Sequence, residues 1–410
     1  MNERLTRATI TLDSLEITRL DPFMPEDLSA EAVLDADIEL ELVPGKPLTG
    51  TADVRTGPGR LELAAEDGRR VLIFEPIVFR AASGPDGLGG DLEIHIADST
   101  RTPVIDVTGR FESAIPVRSI DALARLADQA VSVHLEAEVD DLNILAARLV
   151  PDLALSGSLR AVVHAEADED GRFEGTADIT TGPGQIGFPV AGEIRSLSFE
   201  PVMLSASAGP EGVRGELELH LADSTGARAL DITGRFDSPT GIATFADLTT
   251  STLEPMAVHL EVGADDLGLL VASTTRNLEV EGGFDLVLDA AADADGRLEG
   301  MLTAGSELLP LTNTARDRRR TVSVEPLSLR IEVGSDGLAG ELAAGVTAPG
   351  EGSVLQATGR LSMPRLNSLD FDPETQPIDG RLDVEVTDLS IVETLLIELS
   401  EASGTFELHT

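Results

Sequence analysis

Residues Val213-Arg214-Gly215-Glu216-Leu217-Glu218-Leu219-His220-Leu221 alternate an apolar residue or glycine with a charged or polar one at every step. Successive side chains of a β-strand point to opposite faces. A strand with this alternation has one greasy face and one acidic face, as in an antiparallel sheet wet on one side. The pattern continues outward in both directions. Downstream, Leu230, Ile232, Gly234 and Phe236 alternate with Asp231, Thr233 and Arg235. Upstream, Leu153, Leu155, Gly157, Leu159, Ala161 and Val163 alternate with Ser156, Ser158 and Arg160, followed by Phe173, Ala177 and Ile179 against Glu174, Thr176 and Asp178. Leu278, Val280, Gly282, Phe284, Leu286 and Leu288 repeat the arrangement. Asp-Gly and Pro-Gly pairs punctuate the runs at Pro44-Gly45, Asp86-Gly87, Asp170-Gly171, Asp295-Gly296 and Asp336-Gly337. Such pairs supply the positive φ of tight hairpin turns. The fold class read from this is all-β, a long antiparallel meander with few short helices. Ile120–Ala130 and Leu142–Val150 are the stretches where a helix of two or three turns is expected.

The alternation is itself periodic. Thr56-Gly57-Pro58-Gly59 returns as Thr181-Gly182-Pro183-Gly184, an offset of 125 residues (181 − 56). Phe74-Glu75-Pro76 returns as Phe199-Glu200-Pro201 and as Val324-Glu325-Pro326. Thr108-Gly109-Arg110 returns at Thr233 and at Thr358. Self-similarity at a fixed period is the signature of a repeat architecture. The organisation is therefore read as β repeats over 1–130, 131–255 and 256–380, each of roughly eight strands. Residues 381–410 open a truncated fourth repeat. An array that stops inside a repeat lacks the terminal cap such arrays need, so the natural chain is expected to continue.

Composition narrows the function classes. Hydrophobic residues are 42% of the chain but aromatics only 3%, with no Trp and no Tyr, so the apolar surface is mostly aliphatic. Lys plus Arg is 30 against 73 Asp plus Glu, a net charge of −43. Nucleic-acid phosphates and anionic membrane surfaces repel such a chain. No cysteine is present, which removes disulfides, thiolate catalysis and cysteine metal sites. No apolar run approaches the ~20 residues of a membrane-spanning helix.

No catalytic constellation is legible. His95, His134, His164, His220 and His259 fall on the polar parity and read as surface imidazoles, as does His409; no two have metal-ligand spacing. Asp168-Glu169-Asp170-Gly171 and Asp293-Ala294-Asp295-Gly296 lack the twelve-residue calcium-loop pattern and read as hairpin turns. Arg316–Arg320 is the one basic cluster and reads as a solvated loop. The chain is read as a non-enzyme that needs no cofactor and no metal.

Val139 to Val163 (VDDLNILAARLVPDLALSGSLRAVV) resembles the recurring signature of TamB and its AsmA-like relatives: an apolar strand, then DL-x-x-L, then P-x-L-x-L-x-G-x-L. Gly171–Gly184 is similar to their following strands. Ile378-Asp379-Gly380-Arg381-Leu382-Asp383-Val384 with Thr387-Asp388-Leu389 has the same opening. The resemblance implies a taco-like curled sheet with an apolar groove. It implies an internal segment of a periplasmic envelope protein, inner-membrane-anchored when full-length. Phospholipid acyl chains would occupy the groove between inner and outer membranes, and an outer-membrane barrel would be a further partner. The family's N-terminal anchor and C-terminal domain have no counterpart in this sequence, and its 125-residue period is tighter than the family's.

The expected lining is the apolar parity: Leu92, Ile94, Ile96, Val133, Leu135, Leu153, Leu155, Leu159, Val163, Ile179, Leu217, Leu219, Leu221, Ile232, Leu278, Val280, Phe284, Leu286, Leu288, Leu329 and Ile331. The rival architecture is a string of three β-sandwiches, each closing its own core, and the rival function a structural or adhesive stalk.

Overall fold

The structure is a computed structural model. It describes residues 6–18, 28–43, 45–65, 68–119, 131–143, 154–168, 172–190, 193–223, 226, 228–243, 255–265, 267–268, 278–293, 297–313, 320–334, 337–349, 352–363 and 379–386. The two expected helical stretches lie outside these residues, apart from Leu142 and Asn143.

Among the described residues the elements are 27 antiparallel β-strands, so the all-β reading stands. The first repeat holds β1 (Thr6–Glu16), β2 (Leu28–Glu31), β3 (Val33–Leu42), β4 (Thr49–Thr56), β5 (Gly59–Ala65), β6 (Gly68–Phe74), β7 (Val78–Gly84), β8 (Gly87–Asp98) and β9 (Pro103–Ser113). The second holds β10 (Ser132–Val139), β11 (Ala154–Ser156), β12 (Leu159–Ala167), β13 (Phe173–Thr181), β14 (Gly184–Val190), β15 (Glu193–Phe199), β16 (Met203–Gly209), β17 (Gly212–Ala222) and β18 (Arg228–Ser238). The third holds β19 (Met256–Ala264), β20 (Leu278–Val280), β21 (Phe284–Ala292), β22 (Leu298–Ser306), β23 (Leu309–Asn313), β24 (Arg320–Gly334), β25 (Gly337–Ala348) and β26 (Gly352–Met363), and β27 (Asp379–Val386) follows.

The chain forms two compact units. One comprises Met1–Ile186, Pro201–Gly215 and Thr240–Thr252; the other comprises Gly187–Glu200, Glu216–Pro239 and Leu253–Thr410. In the first unit an antiparallel ladder runs β1–β3–β4–β7–β8–β9–β10–β12–β13–β16. In the second a ladder runs β18–β19–β21–β22–β24–β25–β26–β27.

In the first repeat β2, β5 and β6 form a branch. β2 pairs with β5, and β5 pairs with β6. β6 then joins the far end of β8 through Leu72↔Asp98 and Phe74↔Ile96, while the near end of β8 pairs with β7. The sheet thus forks at β8. The Phe-Glu-Pro motif sits at this fork for a physical reason. Proline has no N–H to give a ladder, so the chain between β6 and β7 breaks at Glu75-Pro76. In the third repeat the two strands run on as β24, and its register shifts between Val324 and Leu327, around Glu325-Pro326. The first half of β24 pairs with β23 and the second half with β22.

Two devices recur at fixed places. Gly87, Gly212 and Gly337 take φ of 126°, 137° and 126° at the β7–β8-type turn, where any other residue would be strained. Asp168 and Asp293 each accept the backbone N–H four residues on, from Arg172 and Arg297, at 2.9 Å. These bonds close hairpin loops, as the sequence predicts.

Among the described residues most of the fully buried apolar side chains lie at strand ends, in the connections or at the fork, and Ala36 in the middle of β3 is an exception. Leu72 and Val104 pack with Leu61, Ile96 and Ile105. The same cluster two repeats on is Val322, Val346 and Val354 with Leu311, Val324, Ala348 and Leu355. At the opposite end of the strands, Leu48 and Val117 are buried and joined by a 2.6 Å backbone hydrogen bond. Phe173 and Ile242 repeat that burial.

Candidate functional site: the apolar face of the ladders

Register decides what each face is made of. Across ten strands of the first unit, Leu12, Ala36, Val54, Phe79, Leu92, Gly109, Leu135, Val163, Ala177 and Ala206 are successive cross-strand partners. Not one is polar. The row one residue away reads Thr11, Asp37, Asp53, Arg80, Asp91, Arg110, His134, His164, Thr176 and Ser207. The second unit keeps the same separation. Ile232, Val262, Leu286, Ala304, Leu329, Leu342, Gly359 and Leu382 are partners across eight strands.

Most of the expected lining falls on these faces. Leu92, Ile94 and Ile96 lie on β8, Val133 and Leu135 on β10, Leu159 and Val163 on β12, and Ile179 on β13. In the second unit Leu217, Leu219 and Leu221 share one parity of β17 and Ile232 lies on β18. Phe284, Leu286 and Leu288 lie on β21, and Leu329 and Ile331 on β24. Three residues are placed elsewhere. Leu155 sits in β11, and Leu278 and Val280 sit in β20, short strands that pair with the branch strands β14 and β23. The alternation from Leu153 to Val163 reads as one strand, but Gly157 takes φ 129° and Gly282 takes φ 105°, and the chain turns away there. Leu153 is outside the described residues.

The face is neither closed nor bare. Along β3, β12, β13, β21 and β24 most of its central residues are half-buried, including Ile38, Val163, Ile179, Leu286 and Leu329, while the small Ala36 is buried. The closed core of a sandwich would hold such positions fully buried. Exposure is greatest on the outer strands, at Ile10 (50%) in β1 and Leu382 (44%) in β27.

The Thr-Gly-Arg glycine makes a notch in this face three times over. A Cβ on Gly109 would sit 3.3 Å from Leu135 Cδ1 and 3.4 Å from Leu92 Cβ. Gly234 lies in the same way between Leu260 and Leu217, and Gly359 between Leu382 and Leu342. Sequence reading also left out one aromatic pair. Phe79 and Phe111 stack with ring centroids 6.1 Å apart and planes 12° from parallel. The parity of Val107-Thr108-Gly109-Arg110-Phe111 is the signal that places Phe111 there.

The opposite face holds the charge. An open cavity of about 910 Å³ lies on it in the second unit, lined by Arg330, Glu341, Arg360, Arg381 and Asp383 among others. Its arginines are already engaged. Arg381 Nε lies 2.8 Å from Asp383, Arg360 Nε 3.4 Å from Glu341, and Arg330 pairs with Glu332. It is an open hollow in which these ion pairs lie beside aliphatic side chains such as Val287 and Ala343. No protein-family model, no curated protein and no solved structure matches the chain. Among the described residues no helix is long and apolar enough to cross a membrane. The chemistry open to the apolar face follows from its residues. It offers no hydrogen bonds, no charge and few aromatics, so it suits aliphatic ligands and discriminates little among them.

Proposed function

We propose that the chain is a non-catalytic segment of a TamB/AsmA-like envelope protein. Its apolar β-face carries phospholipid acyl chains between inner and outer membranes, and it assists outer-membrane protein assembly. The observation that supports this reading is the largely half-buried apolar row that runs strand after strand within each unit, while most full burial lies toward the strand ends and the fork. A soluble monomer rarely leaves a contiguous apolar patch of more than roughly a few hundred Å² uncovered. Acyl chains cover such a face without needing hydrogen bonds. Each Å² of apolar area removed from water contributes about 25 cal/mol, spread evenly over Leu, Val, Ile, Ala and Gly. An even lining without deep pockets lets a chain slide. The carboxylate-rich opposite face repels anionic headgroups and keeps the loaded protein in water.

Native mass spectrometry of the protein purified from cells tests this. Retained phospholipid supports the reading. Clean, lipid-free protein overturns it in favour of a stalk whose sheet is satisfied by its own packing.

A further inference from the structure

One cross-strand pair on the polar face differs from its repeats. The pairs β1–β3, β10–β12 and β19–β21 are equivalent at an offset of 125 residues. At one position Thr9 faces Glu39, His134 faces His164, and His259 faces Asp289. In the third repeat the imidazole is saturated by carboxylates. His259 Nδ1 lies 2.5 Å from Asp289 Oδ1, and Nε2 lies 3.0 Å from Glu261 Oε1. His95 and His220 are likewise held through Nδ1, by Asp106 at 2.6 Å and Asp231 at 2.9 Å. At His134 the facing carboxylate is replaced by a second imidazole. The two rings lie 6.3 Å apart between centroids, inclined at 54°. Glu166 Oε2 is 3.7 Å from His164 Nε2, and Glu166 directly faces Glu174 on β13. An open cavity of about 330 Å³ runs alongside, lined by His164, Glu166, Glu174 and Thr176 among others.

We propose that His134 and His164 form a two-imidazole chelate for a divalent transition-metal ion of the nickel, copper and zinc class. The ion would clamp β10 to β12, with water completing the coordination. A neutral imidazole offers one ring nitrogen lone pair. Directly opposed residues of an antiparallel pair have Cβ atoms about 4.5–5.5 Å apart, which lets two imidazoles meet one ion at ~2.0–2.1 Å. Imidazole selects these metals over magnesium and calcium, which demand oxygen. Among the described residues no three metal-binding side chains are drawn together, so the two imidazoles alone carry the proposal. The site is accessible, since the His164 side chain is 47% exposed. The competing explanation is diffuse attraction of any cation to a surface carrying −43.

The test uses the whole chain with the chloride salts of Cu²⁺, Ni²⁺ or Mg²⁺ alone. Substoichiometric Cu²⁺ is expected to broaden the imidazole NMR signals of His134 and His164 before those of the other four histidines. Ni²⁺ is expected to raise the melting temperature where equal Mg²⁺ does not. His164→Asp recreates the pair that the third repeat already folds with, and it is expected to lose the Ni²⁺ shift. His259→Ala is expected to keep it. Equal broadening of all histidines, or an undiminished Ni²⁺ shift in His164→Asp, overturns the proposal.

Discussion

Thr56 and Ser306 occupy the same place two repeats apart (306 − 56 = 250), and their hydroxyls have opposite fates. Thr56 Oγ1 accepts the N–H of Ile77 at 2.9 Å, and the Thr56 N–H donates to the Ile77 carbonyl at the same distance. Thr181 repeats both bonds with Val202. Ser306, facing Leu327 in the unbroken β24, has a buried hydroxyl with no partner. A lost partner leaves a buried donor unpaired at a cost of about 1–3 kcal/mol. Thr56→Val is therefore expected to destabilise by that amount, while Ser306→Ala is neutral or slightly stabilising; urea unfolding of both variants measures the difference. His259 gives a pH-dependent counterpart. Asp289 first, then Glu261, raise its imidazole above the ordinary 6.5. A folded value that is raised favours the folded state fully below about 6.5, where the unfolded imidazole is protonated too. That contribution is lost as pH rises through the folded value. An NMR titration is expected to place the His259 midpoint above 6.5, and Asp289→Asn to bring it down. An unchanged midpoint in the variant contradicts this assignment.

At the scale of the strand, the fork at β8 explains which substitutions matter. Leu72 is 2% exposed inside the fork, and Leu135 is half-buried in the middle of the ladder. Leu72→Ala is expected to cost about 2–5 kcal/mol through lost burial and the cavity left behind. Leu135→Ala removes less buried area and is expected to cost roughly 1 kcal/mol. If both cost the same large amount in chemical denaturation, the ladder face is a closed core. The alternation, the turns at Gly87 and Gly337, and the parity of both faces were legible because each depends on neighbouring residues. The fork was not. Residues of β5 and β6 alternate like those of the ladder, and a 125-residue repeat shows what recurs without showing which strand pairs with which. For the same reason Leu155, Leu278 and Val280 looked like lining. The meeting of His134 with His164 was hidden as well, because it requires β11 to leave the ladder and pair with β14, so that β12 can pair with β10.

At the scale of the molecule, two quantities oppose each other: a surface carrying −43 and a chain that is 42% hydrophobic. The registers reconcile them by sorting charge to one face and aliphatic surface to the other, strand by strand. On this view a charge on the apolar parity interrupts lipid without abolishing the fold, because water reaches a half-buried face and lessens the penalty for an unpaired carboxylate. Leu219→Asp and its equivalent Ile94→Asp are expected to fold and to purify free of lipid, while Glu218→Leu retains it. The sharpest measurement is a scan of a photoreactive p-benzoylphenylalanine through β12, at Leu159, Arg160, Ala161, Val162, Val163 and His164 in turn, in cells with intact membranes. Phospholipid adducts are predicted at 159, 161 and 163 and not at the residues between them. Adducts at every position, or at none, would contradict an apolar face that holds acyl chains.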